Sequence, residues 1–384
     1  MPNYFDNAAT SFPKPESVYA AIDNYNRTIG APSGRGGYNA AQQTQRALMQ
    51  CRGLLSNLFG VRAPQNVVLT FSCTDSLNTV LHGVLRSGDH VVTTQLEHNS
   101  VLRPLKALES QGVESTVVPV GADQLIDPTA IAKAVKSNTK LIACLHASNV
   151  TGVVQPVAEI GQVAAEHGVL FLLDAAQTTG QLPVTFEETQ ADFIVAAGHK
   201  SLLGPLGTGV LCIRPGVEAR LRSFRQGGTG STSELSQQPD QLPDKYESGN
   251  LNMPGVFGLL AGLQHIAEVG VAALNQHKRH LIDRLQTGLR AIEGVTVYGT
   301  NTADRACVQS INIAGFEPQD VAMILDQNFD IQCRAGLHCA PGAHQALGTF
   351  ETGGTVRLSP GAFTTDEQIE LAITAIAEIA MSSP

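Results

Sequence analysis

The chain has 384 residues, and 25 Lys or Arg against 34 Asp or Glu give it a formal net charge of −9. A protein that grips nucleic acid needs a basic face, so this charge balance argues against that class. At about 150 residues per domain the length predicts two domains. A hydrophobic fraction of 43% with 15% charged residues predicts a large core rather than disorder.

The sequence also argues against a membrane or secreted protein. No apolar run approaches the roughly 18 residues that would span a bilayer, and the N-terminal residues lack the features of a secretory signal. The seven cysteines are irregularly spaced, which favours a reducing compartment over a disulfide scaffold. We therefore expect a soluble cytoplasmic protein that binds neither membrane nor nucleic acid.

Short apolar runs alternate with helical patterns from about residue 65. The predicted strands lie at residues 67–72, 90–94, 115–120, 141–146, 169–173, 193–197 and 209–213. The helical patterns lie at residues 75–85, 100–110 and 157–167, with a further one from Asp127. Continuous apolar strands separated by helices indicate a mostly parallel sheet covered on both faces.

The composition changes in the second half of the chain. Residues 227–252 are rich in Gly, Ser, Thr, Gln and Pro without periodicity, which predicts a long loop. After Pro254 a helical pattern continues through Leu285 and beyond. Strands near 295–298 and 308–313, a helix at 318–325 and a terminal helix from Asp366 predict a smaller α+β domain.

The strongest chemical signals are a lysine and an aspartate that each follow a predicted strand. Lys200, in Gly198-His199-Lys200, could form a Schiff base with a carbonyl cofactor if its pKa is lowered; the alternative is a surface lysine in a turn. Asp174 ends residues 169–173, at the edge where open α/β sheets bind ligands; the alternative is a helix cap. Together they are the two groups that pyridoxal phosphate requires.

Two further segments follow predicted strands and have an ordinary structural alternative. Ser72-Cys73-Thr74-Asp75 opens a helix whose N–H groups could bind a phosphate, although a simple helix cap has the same residues. His98 could stack on a cofactor or serve only the structure.

The segment from Cys333 to His344 combines two cysteines, two histidines and Arg334. A zinc site is one interpretation, but there is no Cys-x-x-Cys pair, so we expect no metal. The other interpretation is a catalytic thiol in a loop, where positive neighbours favour the thiolate. Arg357, in a short predicted strand, suits capture of a substrate carboxylate or an ordinary ion pair.

These motifs occur in an order that is typical of one family. They are Tyr4-Phe-Asp-Asn-Ala-Ala-Thr10, Glu97-His98, Ser148-Asn149-Val-Thr-Gly152, Asp174-Ala-Ala-Gln177, Gly198-His-Lys200, Tyr246-Glu-Ser-Gly249, Arg334-Ala-Gly-Leu-His-Cys339-Ala-Pro341 and Val356-Arg357-Leu-Ser. From residue 4 to about 365 the chain resembles the cysteine desulfurase and selenocysteine lyase branch of the class V aminotransferase superfamily. The short cysteine segment is similar to that of the second group of these enzymes.

The resemblance implies an α/β, type I pyridoxal-phosphate-dependent transferase fold. Its mostly parallel seven-stranded sheet has helices on both faces and is joined by a smaller α+β domain. Residues 15–255 would form the large cofactor-binding domain, and residues 1–14 with 256–384 the small domain. A homodimer with its site at the dimer interface is also implied.

The resemblance also assigns roles to individual residues. Lys200 would form the Schiff base, His98 would stack on the cofactor and take part in catalysis, and Cys339 would be the nucleophile. The cofactor would also contact Cys73, Asp174 at its ring nitrogen, Asn149 and Gln177 near its phenolic oxygen, and Thr74 and His199 at its phosphate. Arg357 and Asn7 would bind the substrate.

Three positions depart from the family. Ala197 replaces a Ser or Thr that bonds the phosphate, and Leu337 replaces a common His. Asn250 replaces a Thr that reaches the phosphate of the partner subunit, a contact that its amide could also make.

The implied reaction converts L-cysteine to L-alanine and leaves a persulfide on Cys339. Alternatives are a selenocysteine lyase acting on L-selenocysteine, another carbon–sulfur lyase, an aminotransferase, or a sulfur-carrier scaffold without turnover. A dinucleotide-binding enzyme is weaker, because the glycines at 204–209 follow Lys200 rather than opening a strand–helix turn early in the sheet. Some relatives pass sulfur to a dedicated acceptor protein, which would be a further partner.

Overall fold

The computed structural model describes residues 3–34, 36–299 and 304–382. Its strands, in chain order, are β1 (Asn3–Tyr4), β2 (Val67–Thr70), β3 (His90–Thr94), β4 (Glu114–Val118), β5 (Thr139–Leu145), β6 (Leu170–Asp174), β7 (Phe193–Ala197), β8 (Gly209–Ile213), β9 (Val295–Tyr298), β10 (Gln309–Ile313), β11 (Ile331–Gln332), β12 (Arg334–Gly336) and β13 (Thr355–Leu358). Its helices are α1 (Glu16–Asn24), α2 (Asn39–Leu58), α3 (Cys73–Val84), α4 (Asn99–Glu109), α5 (Pro128–Ala134), α6 (Val157–Glu166), α7 (Phe186–Thr189), α8 (Met253–Val269), α9 (Val271–Arg290), α10 (Pro318–Phe329), α11 (Pro341–Leu347) and α12 (Asp366–Met381).

Seven strands form the main sheet in the order β2-β8-β7-β6-β5-β3-β4. β8 is antiparallel to both of its neighbours, and the remaining pairs are parallel. The predicted mostly parallel, seven-stranded sheet is therefore confirmed. The two residues singled out from the sequence, Asp174 and Lys200, lie at the carboxyl ends of β6 and β7.

Both faces of the main sheet are buried. Alternate residues of β6 point to opposite sides: Phe171 and Leu173 join one apolar cluster, and Leu170 and Leu172 join the other. The first cluster includes residues of α2, α6 and α8, and the second includes residues of α3 and α4. Helices on both faces explain why the strands are continuously apolar instead of alternating.

A smaller antiparallel sheet has the order β12-β13-β10-β9. It packs with α9, α10 and α12 around a separate apolar cluster that includes Leu285, Val321 and Ile376. β1 pairs in parallel with β11, which brings the N-terminal segment to this part of the chain.

The sequence suggested one continuous helix after Pro254, but the structure has two helices there. The helical pattern breaks at Gly270, where φ is +89°, and α8 and α9 meet at a bend of 84°. Glycine tolerates this backbone conformation, and an apolar repeat alone does not reveal such a break. In the described part of the chain no single helix meets the length and apolarity needed to cross a membrane, although the bent α8–α9 pair does so by length and composition.

The proposed domain boundary at residues 255 and 256 lies inside α8. Buried residues of this helix, among them Leu259 and Leu263, extend the core of the main sheet. The division into residues 15–255 and residues 1–14 with 256–384 stays a prediction.

Candidate active site

Lys200 and Asp174 come from neighbouring parallel strands. Asp174 is the last residue of β6, and Lys200 follows β7 after a two-residue turn. Parallel strands end at the same edge of a sheet, which brings both side chains to its ligand-binding edge. The turn requires Gly198, because a Cβ there would lie 2.2 Å from Thr208 Oγ1.

The surroundings of Lys200 favour a neutral amine. Burial lowers the pKa of Lys200, while the charge of Asp174 acts in the opposite direction. Lys200 Nζ makes no hydrogen bond to the residues that the structure describes. An amine with a lowered pKa and no competing partner is suited to bond a carbonyl carbon.

The first turn of α3 lies beside Asp174. Ser72 caps this helix, since its Oγ accepts a hydrogen bond from the third helical N–H at 3.1 Å. Cys73 Sγ donates to Asp174 Oδ1 over 3.6 Å, and Thr74 Oγ1 lies 2.7 Å from Ser100 Oγ. The free N–H groups of a helix N-terminus bind anions, so this turn could hold a phosphate.

His199 leaves a polar atom available in the same region. Its Nδ1 is buried and has no hydrogen-bond partner among the described residues. Burial lowers the pKa of His199 to about 4, so its ring is neutral near pH 7. Its backbone carbonyl accepts from Ser11 N at 3.0 Å and from Thr10 Oγ1 at 3.1 Å, which fixes the chain just before Lys200.

His98 is the N-cap residue of α4 and presents a neutral ring. Its Nδ1 accepts a hydrogen bond from Ser100 N at 3.0 Å, so the ring proton is assigned to Nε2. Burial lowers the pKa of His98 to about 4. Such a ring can stack on a cofactor without adding a positive charge.

Arg357 lies on β13 and is buried. Its Nη2 forms an ion pair with Asp6 Oδ1 at 2.7 Å, and its Nη1 donates to the Asn149 carbonyl at 3.1 Å. Its Nε has no partner among the described residues. Arg357 therefore forms the ordinary ion pair that was the alternative to substrate binding. Its unpaired Nε could still donate to a substrate, so carboxylate binding stays a prediction.

Cys339 lies between β12 and α11 and is half-buried. Arg334 Nη2 lies 3.6 Å from Cys339 Sγ, and Asn99 N donates to the Cys339 carbonyl at 2.7 Å. The thiol is therefore next to a fixed positive charge. No cluster of three or more His, Cys, Asp or Glu side chains in the described ranges is arranged to hold a metal ion.

Most of the predicted site residues line one cavity of about 220 Å³. They are Cys73, Thr74, His98, Asn149, Asp174, Gln177, His199, Lys200 and Arg357. Cys339 does not itself line the cavity, but its contact Arg334 and its neighbour His338 do. Ala197, where relatives carry a hydroxyl, also lines it.

Two further predicted residues, Asn7 and Asn250, do not line this cavity. Asn7 uses its amide inside the N-terminal segment, donating to Ser359 O at 3.0 Å and accepting from Phe12 N at 3.1 Å. Asn250 is exposed and lines a different cavity, together with Arg52 and Glu247. Substrate binding by Asn7 and phosphate binding by Asn250 stay predictions.

The sequence did not single out two of the polar contacts at the site. Asp6 lies within the motif at residues 4–10, but its pairing with Arg357 spans 351 residues. Ser100 joins Thr74 to His98, and no sequence pattern marks it.

Residues 3–371 match the family described as Aminotransferase class-V. The chain belongs to the class V aminotransferases. Within the family this class V aminotransferase is 35% identical to a probable cysteine desulfurase of Methanothermobacter thermautotrophicus, over 98% of this chain and 94% of the relative. It is 28% identical to a cysteine desulfurase of Escherichia coli, over 98% of this chain and 93% of the relative.

Solved structures of cysteine desulfurases also superimpose closely on this class V aminotransferase. The apo cysteine desulfurase of Thermococcus onnurineus superimposes with a TM-score of 0.91 at 32% identity, covering 98% of this chain and 94% of that one. The cysteine desulfurase CsdA of Escherichia coli gives 0.88 at 25% identity, covering 99% and 94%. The predicted fold and the resemblance to cysteine desulfurases are confirmed.

Class V aminotransferases depend on pyridoxal phosphate, and the cavity residues of this chain fit that group. The N-terminus of α3 and the orphaned Nδ1 of His199 suit a phosphate. Asp174 and Lys200 line the cavity, and a carboxyl group and an amine are the groups that would hold a pyridine nitrogen and an aldehyde.

Proposed function

We propose that this enzyme is a pyridoxal-phosphate-dependent cysteine desulfurase that converts L-cysteine to L-alanine and transfers the sulfur to Cys339. One observation carries the proposal. Lys200, Asp174 and Arg357 line one cavity, and Arg334, on the wall of that cavity, contacts the Cys339 thiol. The alternative substrate is L-selenocysteine.

The cavity residues would divide the binding of the cofactor among them. Lys200 would hold the aldehyde and Asp174 the ring nitrogen, with His98 against the ring and Asn149 and Gln177 near the phenolic oxygen. The N–H groups of Cys73 and Thr74, together with His199, would hold the phosphate. When bound, pyridoxal phosphate supplies the electron sink for the bonds broken at the substrate α-carbon.

The protein groups then perform proton transfer and sulfur transfer. Arg357 holds the substrate carboxylate, and the amine of Lys200, whose pKa burial lowers, moves the proton of the α-carbon. The Cys339 thiolate, beside the Arg334 charge, forms a bond to the substrate sulfur as the carbon–sulfur bond breaks. The electron pair of that bond stays with the carbon skeleton, which takes up protons and leaves as alanine. The enzyme keeps a persulfide on Cys339.

The proposal includes a homodimer in the cytoplasm and a protein that accepts the sulfur. Asn250 does not line the cavity of its own chain, which agrees with the predicted contact to the phosphate of the partner subunit.

Variants at Lys200 and Cys339 test this function in the reconstituted enzyme. Lys200→Ala should lose the absorption band of the Schiff base, because the cofactor aldehyde then has no lysine amine to bond. Cys339→Ala should keep the band but form alanine from cysteine at least about 10²-fold more slowly, because the nucleophile is gone. Alanine release is measured with cysteine and with selenocysteine, in the presence of a thiol reductant.

Cys333→Ala is the matched control. Burial raises the pKa of the Cys333 thiol to about 12, so it stays protonated and its removal should leave turnover near the wild-type rate. Full alanine production from cysteine by the Cys339→Ala enzyme would contradict the persulfide route. If the Cys339→Ala enzyme lost alanine production from cysteine but still cleaved selenocysteine, the enzyme would be assigned to the selenocysteine lyase alternative.

A further inference from the structure

The backbone at Cys339 has a conformation that residues other than glycine rarely adopt. The φ angle is +49° at His338 and +59° at Cys339. Within residues 3–34, 36–299 and 304–382 no other two consecutive non-glycine residues have positive φ. Such residues persist only where their surroundings hold them, so the contacts of this pair determine where the thiol lies.

Two hydrogen bonds from other parts of the chain hold the two carbonyl groups of this pair. The buried Asn149 donates from its side-chain Nδ2 to the His338 carbonyl at 2.7 Å. Asn99, the first residue of α4, donates its backbone N–H to the Cys339 carbonyl at 2.7 Å. Only the first of these contacts comes from a side chain, so truncation of Asn149 removes it directly.

The His338 ring gives a third point of attachment. Its Nε2 lies 3.0 Å from the Thr355 carbonyl and 3.1 Å from the Thr355 hydroxyl. A carbonyl only accepts, so Nε2 carries the ring proton and donates it. Thr355 is fully buried at the start of β13, which ties the loop to the strand that carries Arg357.

Asn149 also contacts Arg357 directly. Its backbone carbonyl accepts from Arg357 Nη1 at 3.1 Å, while its side chain holds His338. One buried residue thus touches both the guanidinium expected to bind the substrate carboxylate and the loop that presents the thiol. An asparagine amide has two N–H donors, so the contact to His338 leaves one for a ligand.

We propose that Asn149 is a positioning residue that holds Cys339 in its left-handed conformation and at a fixed position relative to Arg357. The proposal rests on the proposed function, in which Cys339 is the nucleophile. It adds a role that contact with a cofactor does not supply, because the hydrogen bond to His338 is made by the protein alone.

The alkylation rate of Cys339 in the apoprotein tests this role. Iodoacetamide is added to wild type and to Asn149→Ala, and modification of each cysteine is followed by mass spectrometry. Without its anchor the half-buried thiol should become more accessible, and Cys339 should react several-fold faster. In the reconstituted enzyme, alanine formation per bound cofactor should fall on the order of 10²-fold, because the thiol is misplaced. Asn149 also lines the cofactor cavity, so the alkylation rate of the apoprotein, and not turnover, decides the positioning role.

A second variant and a control separate positioning from general loosening. Asn149→Asp keeps the size of the side chain but replaces its donor by an acceptor against the His338 carbonyl, so it should accelerate alkylation as alanine does. Asn66→Ala truncates another buried asparagine, which lies away from this loop, and should leave the Cys339 rate unchanged. The buried Cys51 and Cys212 should stay unreactive in all variants.

An unchanged Cys339 rate in both Asn149 variants would overturn the proposal. Faster reaction of Cys51 and Cys212 in parallel with Cys339 would also overturn it, because the effect would then be a general loss of structure. The two proposals fail separately. If wild type makes no alanine from cysteine, the proposed function fails, whereas the apoprotein alkylation rates still decide whether Asn149 holds the loop.

Discussion

Glu97, the residue before His98, has a buried carboxyl group that contacts the last residues of β3 and β5 at the carboxyl edge of the main sheet. Its Oε1 accepts from Thr94 Oγ1 at 2.7 Å and from Leu145 N at 3.0 Å. Its Oε2 is buried and has no partner among the described residues. Burial raises the pKa of Glu97 to about 8, and the nearby charge of Asp174 acts in the same direction. Near pH 7 the side chain is therefore mostly a neutral acid.

This neutral acid makes stability depend on pH. Between about pH 4.5 and pH 8 the folded protein keeps the proton of Glu97 and the unfolded chain has lost it, so this group lowers stability as the pH rises. Glu97→Gln removes that dependence. We expect the unfolding free energy of the variant, relative to wild type, to rise by about 1.4 kcal/mol per pH unit across this range. Urea unfolding of both apoproteins at several pH values measures it, and a difference that does not vary with pH would contradict the neutral state.

At the scale of elements, the segment of residues 227–252 has neither helix nor strand but is anchored to the core at Glu247. Glu247 Oε1 accepts from Arg52 Nη1 of α2 at 2.7 Å and from Leu69 N of β2 at 2.7 Å. The ion pair is almost fully buried. One side chain therefore connects the long loop to a helix and to the edge strand of the main sheet.

Removing one member of this buried pair leaves an uncompensated charge. Glu247→Ala should lower the unfolding free energy by about 3–5 kcal/mol. The double change Arg52→Met with Glu247→Leu should lower it less, because no unpaired charge is left buried. Urea unfolding of the apoproteins compares them. Asp23→Asn, which breaks the exposed pair with Arg27, should change little and serves as the control. A double variant no more stable than Glu247→Ala would argue against the charge as the cause.

The sequence was sufficient to predict the elements whose pattern is local. Apolar runs predicted all seven strands of the main sheet to within a few residues, and the positions of Asp174 and Lys200 after two of them predicted a shared sheet edge. The break at Gly270 was missed, since one glycine within a helical repeat is tolerated and leaves the apolar period unchanged.

Contacts between distant parts of the chain were not predictable in the same way. Asp6 meets Arg357 across 351 residues, and Asn149 meets His338 across 189. Their partners depend on how the small sheet docks against the main sheet, which no local pattern encodes. The left-handed pair at Cys339 was missed for the same reason, because its conformation is held by such contacts.

At the scale of the whole molecule, residues 3–14 connect parts of the chain that are far apart in sequence. β1 pairs with β11, the Ala8 carbonyl accepts from Gln177 Nε2, and Thr10 donates to the carbonyl before Lys200. Between them Asp6 pairs with Arg357 of the small sheet. Among the described residues, this segment therefore contributes the only carboxylate oxygen that lies within 4.0 Å of a side-chain nitrogen of Arg357.

Replacing Asp6 should expose a competition between that carboxylate and the substrate. Asp6→Asn leaves the buried guanidinium of Arg357 without a counter-charge, so the apoprotein should lose about 1–3 kcal/mol of stability. A ligand carboxylate can then supply the missing charge. L-alanine should therefore raise the melting temperature of Asp6→Asn by more than it raises that of wild type, because a ligand stabilises a protein according to its affinity for the folded state. L-alaninamide, which has no carboxylate, is the control and should not distinguish the two proteins. If L-alanine stabilised both equally, Asp6 would not be competing for Arg357, and its role would be limited to joining the N-terminal segment to the small sheet.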